Sequence, residues 1–282
     1  MATVPALTLA LVLAAVSSRT AIAASRFPPG PTGTCTDTMT ISELATWLNT
    51  TTPPCNATTP NFTGSPGDTV FGISGVVIAL DQVPTGFDIY LQLPQGGPNS
   101  GMDVFTMGVN EVPLYALALG DSLTVEFACI ADFYGDVRLS PPNNNFSLPN
   151  IVLRRGSSGN SVPPPTHGNT SQFDQSPANG FPAPYLSTPV RIDGPVRVAR
   201  TDGLATGGAL IVTDDSPADS VYVDYFKLSN TRPPPVGTYL NAVTGIVNST
   251  MHGWTIMPRD ATDRGTVPTR SDSWGGLKAR YR

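Results

Sequence analysis

Residues 119–141 read LGDSLTVEFACIADFYGDVRLSP and residues 236–258 read VGTYLNAVTGIVNSTMHGWTIMP, two stretches of equal length that align without a gap. Gly120 falls on Gly237, Leu123 on Leu240, Ile130 on Val247, Leu139 on Ile256 and Pro141 on Pro258. In the first stretch Val125, Phe127 and Cys129 alternate with Glu126 and Ala128, the period of two that marks a half-buried strand. Asp132-Phe133-Tyr134-Gly135 and Ser249 to Gly253 interrupt the apolar pattern and read as hairpin turns. Upstream of each stretch lies another shared block. ISGVVIA at 73–79 followed by DIYLQL at 88–93 corresponds to IDGPVRVA at 192–199 followed by ALIVTD at 209–214. Matching order, spacing and pattern predict a duplicated domain, and five short strands in each copy is the count of a small Greek-key barrel.

The composition agrees. Among 282 residues there are 29 Pro and 27 Gly, and only 13 % of positions are charged. Such a chain can bury a core, because 40 % of it is hydrophobic, but it cannot sustain long helices. Coiled coils, helical bundles and collagen are excluded. The expected fold class is all-β: two tandem OB-like five-stranded barrels with one short N-terminal helix. The barrels are placed at 68–154 and 184–263, with a linker or long loop at 155–183 rich in Gly, Ser and Pro. Ile41, Leu44 and Leu48 at i, i+3 and i+7 predict the helix near 40–49, begun by Thr40 or Ser42. It lies within a Pro/Thr-rich segment spanning 24–67.

Ala6 to Val16 is an apolar run too short to span a bilayer, followed by Arg19 and the A-x-A-like Ala21-Ile22-Ala23. Residues 1–23 therefore read as a secretory signal peptide, and the expected location is secreted, extracellular or cell wall. No later stretch reads as a membrane span. Six Asn-X-Ser/Thr triplets, at Asn49, Asn56, Asn61, Asn145, Asn169 and Asn248, are glycan acceptors in a eukaryotic secretory pathway. The three cysteines are Cys35, Cys55 and Cys129. An oxidising compartment predicts one disulfide and one leftover thiol, with Cys35–Cys55 and Cys55–Cys129 both open.

The second half, PYLSTPVRIDGPVRV … GGALIVTDD … VGTYLNAVTGIV … GWTIMPRDATD, resembles the OB-like domain of bacterial and some algal secreted proteins. The first half, TISELAT … FGISGVVIAL … GFDIYLQLPQGGPNSGMDVFT … LGDSLTVEFACIADFYGDVRL, resembles the companion domain that precedes it there. The resemblance covers roughly residues 38–263. It implies a pair of the kind found beside extracellular endonuclease/exonuclease/phosphatase-type nucleases. Within these 282 residues, no nuclease domain is expected after residue 263.

Chemistry is sparse. His167 falls in the Pro-rich linker and His252 at a hairpin tip, and neither position suits a buried general base. Gly72-Ile73-Ser74-Gly75-Val76 lacks the final Gly of a nucleophile elbow. No catalytic residues and no resident cofactor are expected. Asp214, Asp215 and Asp219 share one loop and are the candidate Ca²⁺ ligands, although the spacing is not that of an EF-hand.

Charge separates the two halves. Residues 68–150 carry nine acidic side chains against Arg138 alone, a balance of −8, whereas 184–263 stand at −2. Non-specific affinity for nucleic acid comes from Lys and Arg displacing counterions, so the first barrel is a poor candidate. In the second, Arg191, Arg197 and Arg200 form the one basic cluster, sharing a face only in part by strand alternation. Trp254 and Tyr134 are candidate stacking groups. The tail, 264–282, has a balance of +4 and suits a polyanion. These residues predict a secreted, non-catalytic binding or matrix module that recognises glycan or protein partners through barrel loops. The alternative is a nucleic-acid-binding OB-fold accessory protein related to domains of extracellular nucleases.

Overall fold

A computed structural model describes residues 34–38, 40–50, 69–83, 86–107, 116–133, 136–141, 151–173, 183–201, 209–213, 220–225, 228, 232–250 and 253–265. The chain enters through β1 (Thr34–Thr38) and the helix α1 (Ile41–Thr50). Thr40 starts that helix: its Oγ1 accepts from the Glu43 amide at 3.1 Å, and Glu43 Oε2 accepts from the Thr40 amide at 2.7 Å. This reciprocal cap satisfies two backbone donors that a helix start otherwise leaves open. Ile41 and Leu44 are fully buried in the first core, as the apolar spacing requires.

The first barrel is built from β2 (Thr69–Phe71), β3 (Ile73–Val83), β4 (Gly86–Gln92), β5 (Gly101–Met107), β6 (Ser122–Phe133) and β7 (Asp136–Ser140). β3 pairs antiparallel with β4 and β4 with β5; β5 runs parallel to β7; β7 turns back onto β6; and β6 returns to β3. Five strands thus close a ring. β2 and β8 (Val152–Arg155) add to β6 outside it, and β1 lies parallel to β2. The register sets Thr34 beside Thr69 and Thr69 beside Cys129. Cys35 and Cys129 therefore sit on strands two places apart, about 9.5 Å, beyond the ~7 Å that a disulfide bridges. Cys55 lies outside the described residues, so neither pairing expected from the sequence is visible.

The second barrel repeats the ring. β10 (Pro189–Thr201) pairs with β11 (Ala209–Thr213), β11 with β12 (Ser220–Asp224), β12 runs parallel to β14 (Gly253–Met257), β14 pairs with β13 (Tyr239–Thr250), and β13 with β10. This is the strand order of the first barrel, position for position. Phe133 pairs with Asp136 and Thr250 with Gly253, so both expected hairpins are present. The repeat extends to single hydrogen bonds. The Gly120 amide donates to Val77 O, the Gly237 amide to Val198 O, both at positive φ (84 and 86). One residue beyond each Val the register slips by one.

The expected linker is largely built into the barrels. The Asn160 amide and side chain both donate to Gly120 O at 2.8 Å, and Ser157 O accepts from the Ser122 amide. Residues 166–168 form β9 (Thr166–Gly168), parallel to β10, and Phe173 is buried in the second core with its ring 5.4 Å from Tyr185. A loop with one buried aromatic has no apolar period, so its docking leaves no sequence pattern. Further on, Leu186 packs against the first core and Tyr185 against the second. No helix among the described residues is long and apolar enough to cross a membrane.

Candidate nucleic-acid interface

OB barrels bind ligands on the outer face of their second and third strands. Here those strands are β4 and β5 in the first barrel and β11 and β12 in the second. Register places equivalent residues in a row across each face. In the first barrel the row runs Ala79, Tyr90, Asp103, Arg138, Ala131. In the second it runs Arg200, Ile211, Tyr222, Thr255, Asn248. The two rows have met opposite fates.

In the first barrel Ile89 and Leu91 point into the core, so Asp88, Tyr90 and Gln92 point outward, yet all three are 3 % exposed or less. Asp103 is fully buried. The Arg138 guanidinium lies 4.4 Å above the Phe105 ring, with Nη1 3.5 Å from Asp88 Oδ1. The second barrel covers part of this surface. Asn248 Nδ2 donates to Tyr90 Oη at 2.8 Å, and Ile78, Ala79 and Tyr90 form one apolar cluster with Ile246 and Met257. Gly101 faces Ser187 so closely that any Cβ there collides with the Ser187 carbonyl. A face holding two carboxylates for one guanidinium repels phosphate, and this one is buried as well.

The second barrel's row is buried at Thr255 and Asn248 and open at its other end. Val221 and Val223 fill the core, so Tyr222 projects outward, and its hydroxyl accepts from Arg200 Nη2 at 3.2 Å. Val196 and Val198 are also core residues, which turns Arg197 outward. Three residues apart, Arg197 and Arg200 belong to opposite faces of a regular strand. The slip between Val198 and Arg200 inserts one residue and brings both to the outer face. Beside Arg197, across the β10–β13 ladder, stands Tyr239, 46 % exposed. Arg232 is exposed in the loop leading to it. Two guanidiniums and two phenols thus share one surface, the chemistry that grips phosphates and stacks bases.

The other expected site residues fall elsewhere. Arg191 is tied down: its Nε donates to Asp193 Oδ1 at 2.9 Å, and His167 Nδ1 lies 3.0 Å from Asp193 Oδ2. Burial pushes the Asp193 carboxyl up, but Arg191 and His167 outweigh it and hold the group below its ordinary value. His167, placed in the linker by the sequence, is exposed but sits on β9 against Asp193. Trp254 packs against the second core, sharing its inward side with Ile256, and is no stacking platform. Arg264, assigned to the free basic tail, is half-buried near Tyr225, whose hydroxyl burial raises above its ordinary value against the opposing charge of Arg264. Tyr134, His252, Asp214, Asp215 and Asp219 lie outside the described residues. Among the described residues no three His, Cys, Asp or Glu side chains are grouped to hold a metal ion.

Two of the six sequons have described side chains, and they differ. Asn169 is exposed, whereas Asn248 is 1 % exposed with its amide engaged by Tyr90. The Asn248 side chain thus lies inside the contact between the barrels. Tyr239 is turned outward by alternation with the buried Leu240, but its place beside Arg197 comes from the β10–β13 pairing, which no local pattern records.

No protein-family model matches the chain, and no curated protein matches it. Among solved structures it is similar to the tetrameric p202 HIN2 domain, at 12 % identity and a TM-score of 0.31, over 68 % of this chain and 90 % of that one. It is also similar to the p204 HINb domain, at 15 % identity and a TM-score of 0.28, over 65 % of this chain and 90 % of the other. Superpositions this loose carry no residue correspondence, and the barrel assignment rests on the strand pairings above.

Proposed function

We propose that this protein is a non-catalytic binder of single-stranded nucleic acid, acting through the outer face of its second barrel. Arg197 and Arg200 contact phosphates, while Tyr222 and Tyr239 offer faces for bases. The first barrel serves as a covered base. The observation that carries this reading is the open Arg200–Tyr222 end of a row whose counterpart in the first barrel is acidic and sealed. The resemblance of the sequence to the pair found beside secreted nucleases points the same way, and export by residues 1–23 is part of the proposal. A glycan- or protein-binding reading through barrel loops draws on 202–208 and 214–219, which lie outside the described residues. With an acidic partner barrel, binding is weak and sharply salt-dependent.

Fluorescence anisotropy with a labelled single-stranded oligonucleotide tests this across a salt series. Each lost phosphate contact lowers the log–log salt slope by about 0.7 on a single strand, so Arg197→Ala with Arg200→Ala lowers it by about 1.4. Absence of binding at low salt, or an unchanged slope in the double variant, refutes the proposal.

A further inference from the structure

We infer that Asn169 is an N-glycan acceptor, and that its glycan shields the β9 edge of the second barrel, which among the described residues pairs on one side only. The inference is independent of the nucleic-acid reading. It rests on the contrast between two sequons and on where the open one sits.

Asn169 directly follows β9, which ends the strand order of its sheet. Its carbonyl Oδ1 is engaged on the inner side, accepting from the Gln172 amide at 3.1 Å and from Ser171 Oγ at 2.7 Å. Gln172 Oε1 accepts in return from the Asn169 amide, completing a capping box that fixes the side chain while the residue stays exposed. The amide nitrogen Nδ2 is the atom that bonds to sugar. There it displaces the pyrophosphate of a lipid-pyrophosphate-linked oligosaccharide: an N–C bond forms at the anomeric carbon, the C–O bond breaks, one amide proton is released, and the lipid pyrophosphate departs. At Asn248 the same nitrogen donates to Tyr90 Oη inside the molecule. An exposed edge strand templates pairing with another chain. A bulky, hydrated chain one residue beyond Gly168 obstructs that approach.

The test is expression of the full-length chain, leader included, in a eukaryotic secretory cell, followed by glycopeptide mapping of the secreted protein. Occupied Asn169 and unmodified Asn248 are expected. Retention in the cytosol, an unmodified Asn169 or an occupied Asn248 overturns the inference. Ser171→Ala removes the sequon but keeps the Asn169 cap on Gln172. In that variant the glycan on this segment is lost and self-association in light scattering rises, with an unchanged circular dichroism spectrum. Light scattering identical to the wild type overturns the shielding role even where Asn169 is occupied.

Discussion

The Asn248 side-chain amide donates to the Tyr90 hydroxyl at 2.8 Å across the contact between the barrels, joining residues 158 positions apart in the chain. Both groups are buried, at 1 % and 0 % exposure, so neither can turn to water instead. Tyr90→Phe keeps the ring and removes the acceptor. The expected loss is about 1–3 kcal/mol, the cost of a buried donor left without a partner. Urea denaturation measures it, and an unshifted midpoint refutes the assignment.

Matched glycines make an internal control. Gly120 and Gly237 share a left-handed backbone, which disfavours any side chain by roughly 1–2 kcal/mol. A Cβ on Gly237 meets nothing within 4 Å, whereas one on Gly120 comes within 2.7 Å of Asn160 O. Gly120→Ala is therefore expected to lower the melting temperature more than Gly237→Ala. Equal losses count against the docking of residues 156–160 onto the first barrel.

Asp121, whose side chain is 1 % exposed, is expected to make stability sensitive to acid. Burial raises its carboxyl, but the Ala118 amide, Ser158 and Arg155 together hold it below the ordinary value. A folded-state value below the unfolded one gives stability that is present above the unfolded value and lost as pH falls through the folded value. Asp121→Asn is expected to reduce stability near neutral pH and to flatten its decline in acid. Melting curves from pH 7 to about 3 check this; a decline as steep as the wild type's refutes it.

Arg191 supplies the negative control for the proposed interface. Its charge is balanced by Asp193 on the same strand. Arg191→Ala is expected to leave oligonucleotide affinity and salt slope nearly unchanged, in contrast to Arg200→Ala. A loss as large as that of Arg200→Ala moves the interface to the other end of β10.

Much of the fold could be read from residues. The alternation through Val125 and Phe127, the paired turns at Gly120 and Gly237, and the Ile41–Leu44 spacing all report burial on one side of a regular element, which a periodic pattern records. The site was only half legible. Alternation set Arg197 and Arg200 on opposite faces, and a one-residue slip after Val198 reverses that parity. Trp254 looked available because a core aromatic and a stacking aromatic are the same letter. Burial against another barrel, which silences Tyr90, depends on long-range packing that no local period encodes.

The two rows also bear on the history of the chain. A lone ancestral barrel presents its row to solvent on every copy. In this chain β3 and β4 of the first barrel meet β13 and β14 of the second, so non-equivalent strands form the joint. Tyr90 is held in that joint, whereas the Arg200 end of the other row faces solvent. Variation among relatives should accordingly be lopsided, with the joint tolerating paired substitutions and the open row tolerating single ones.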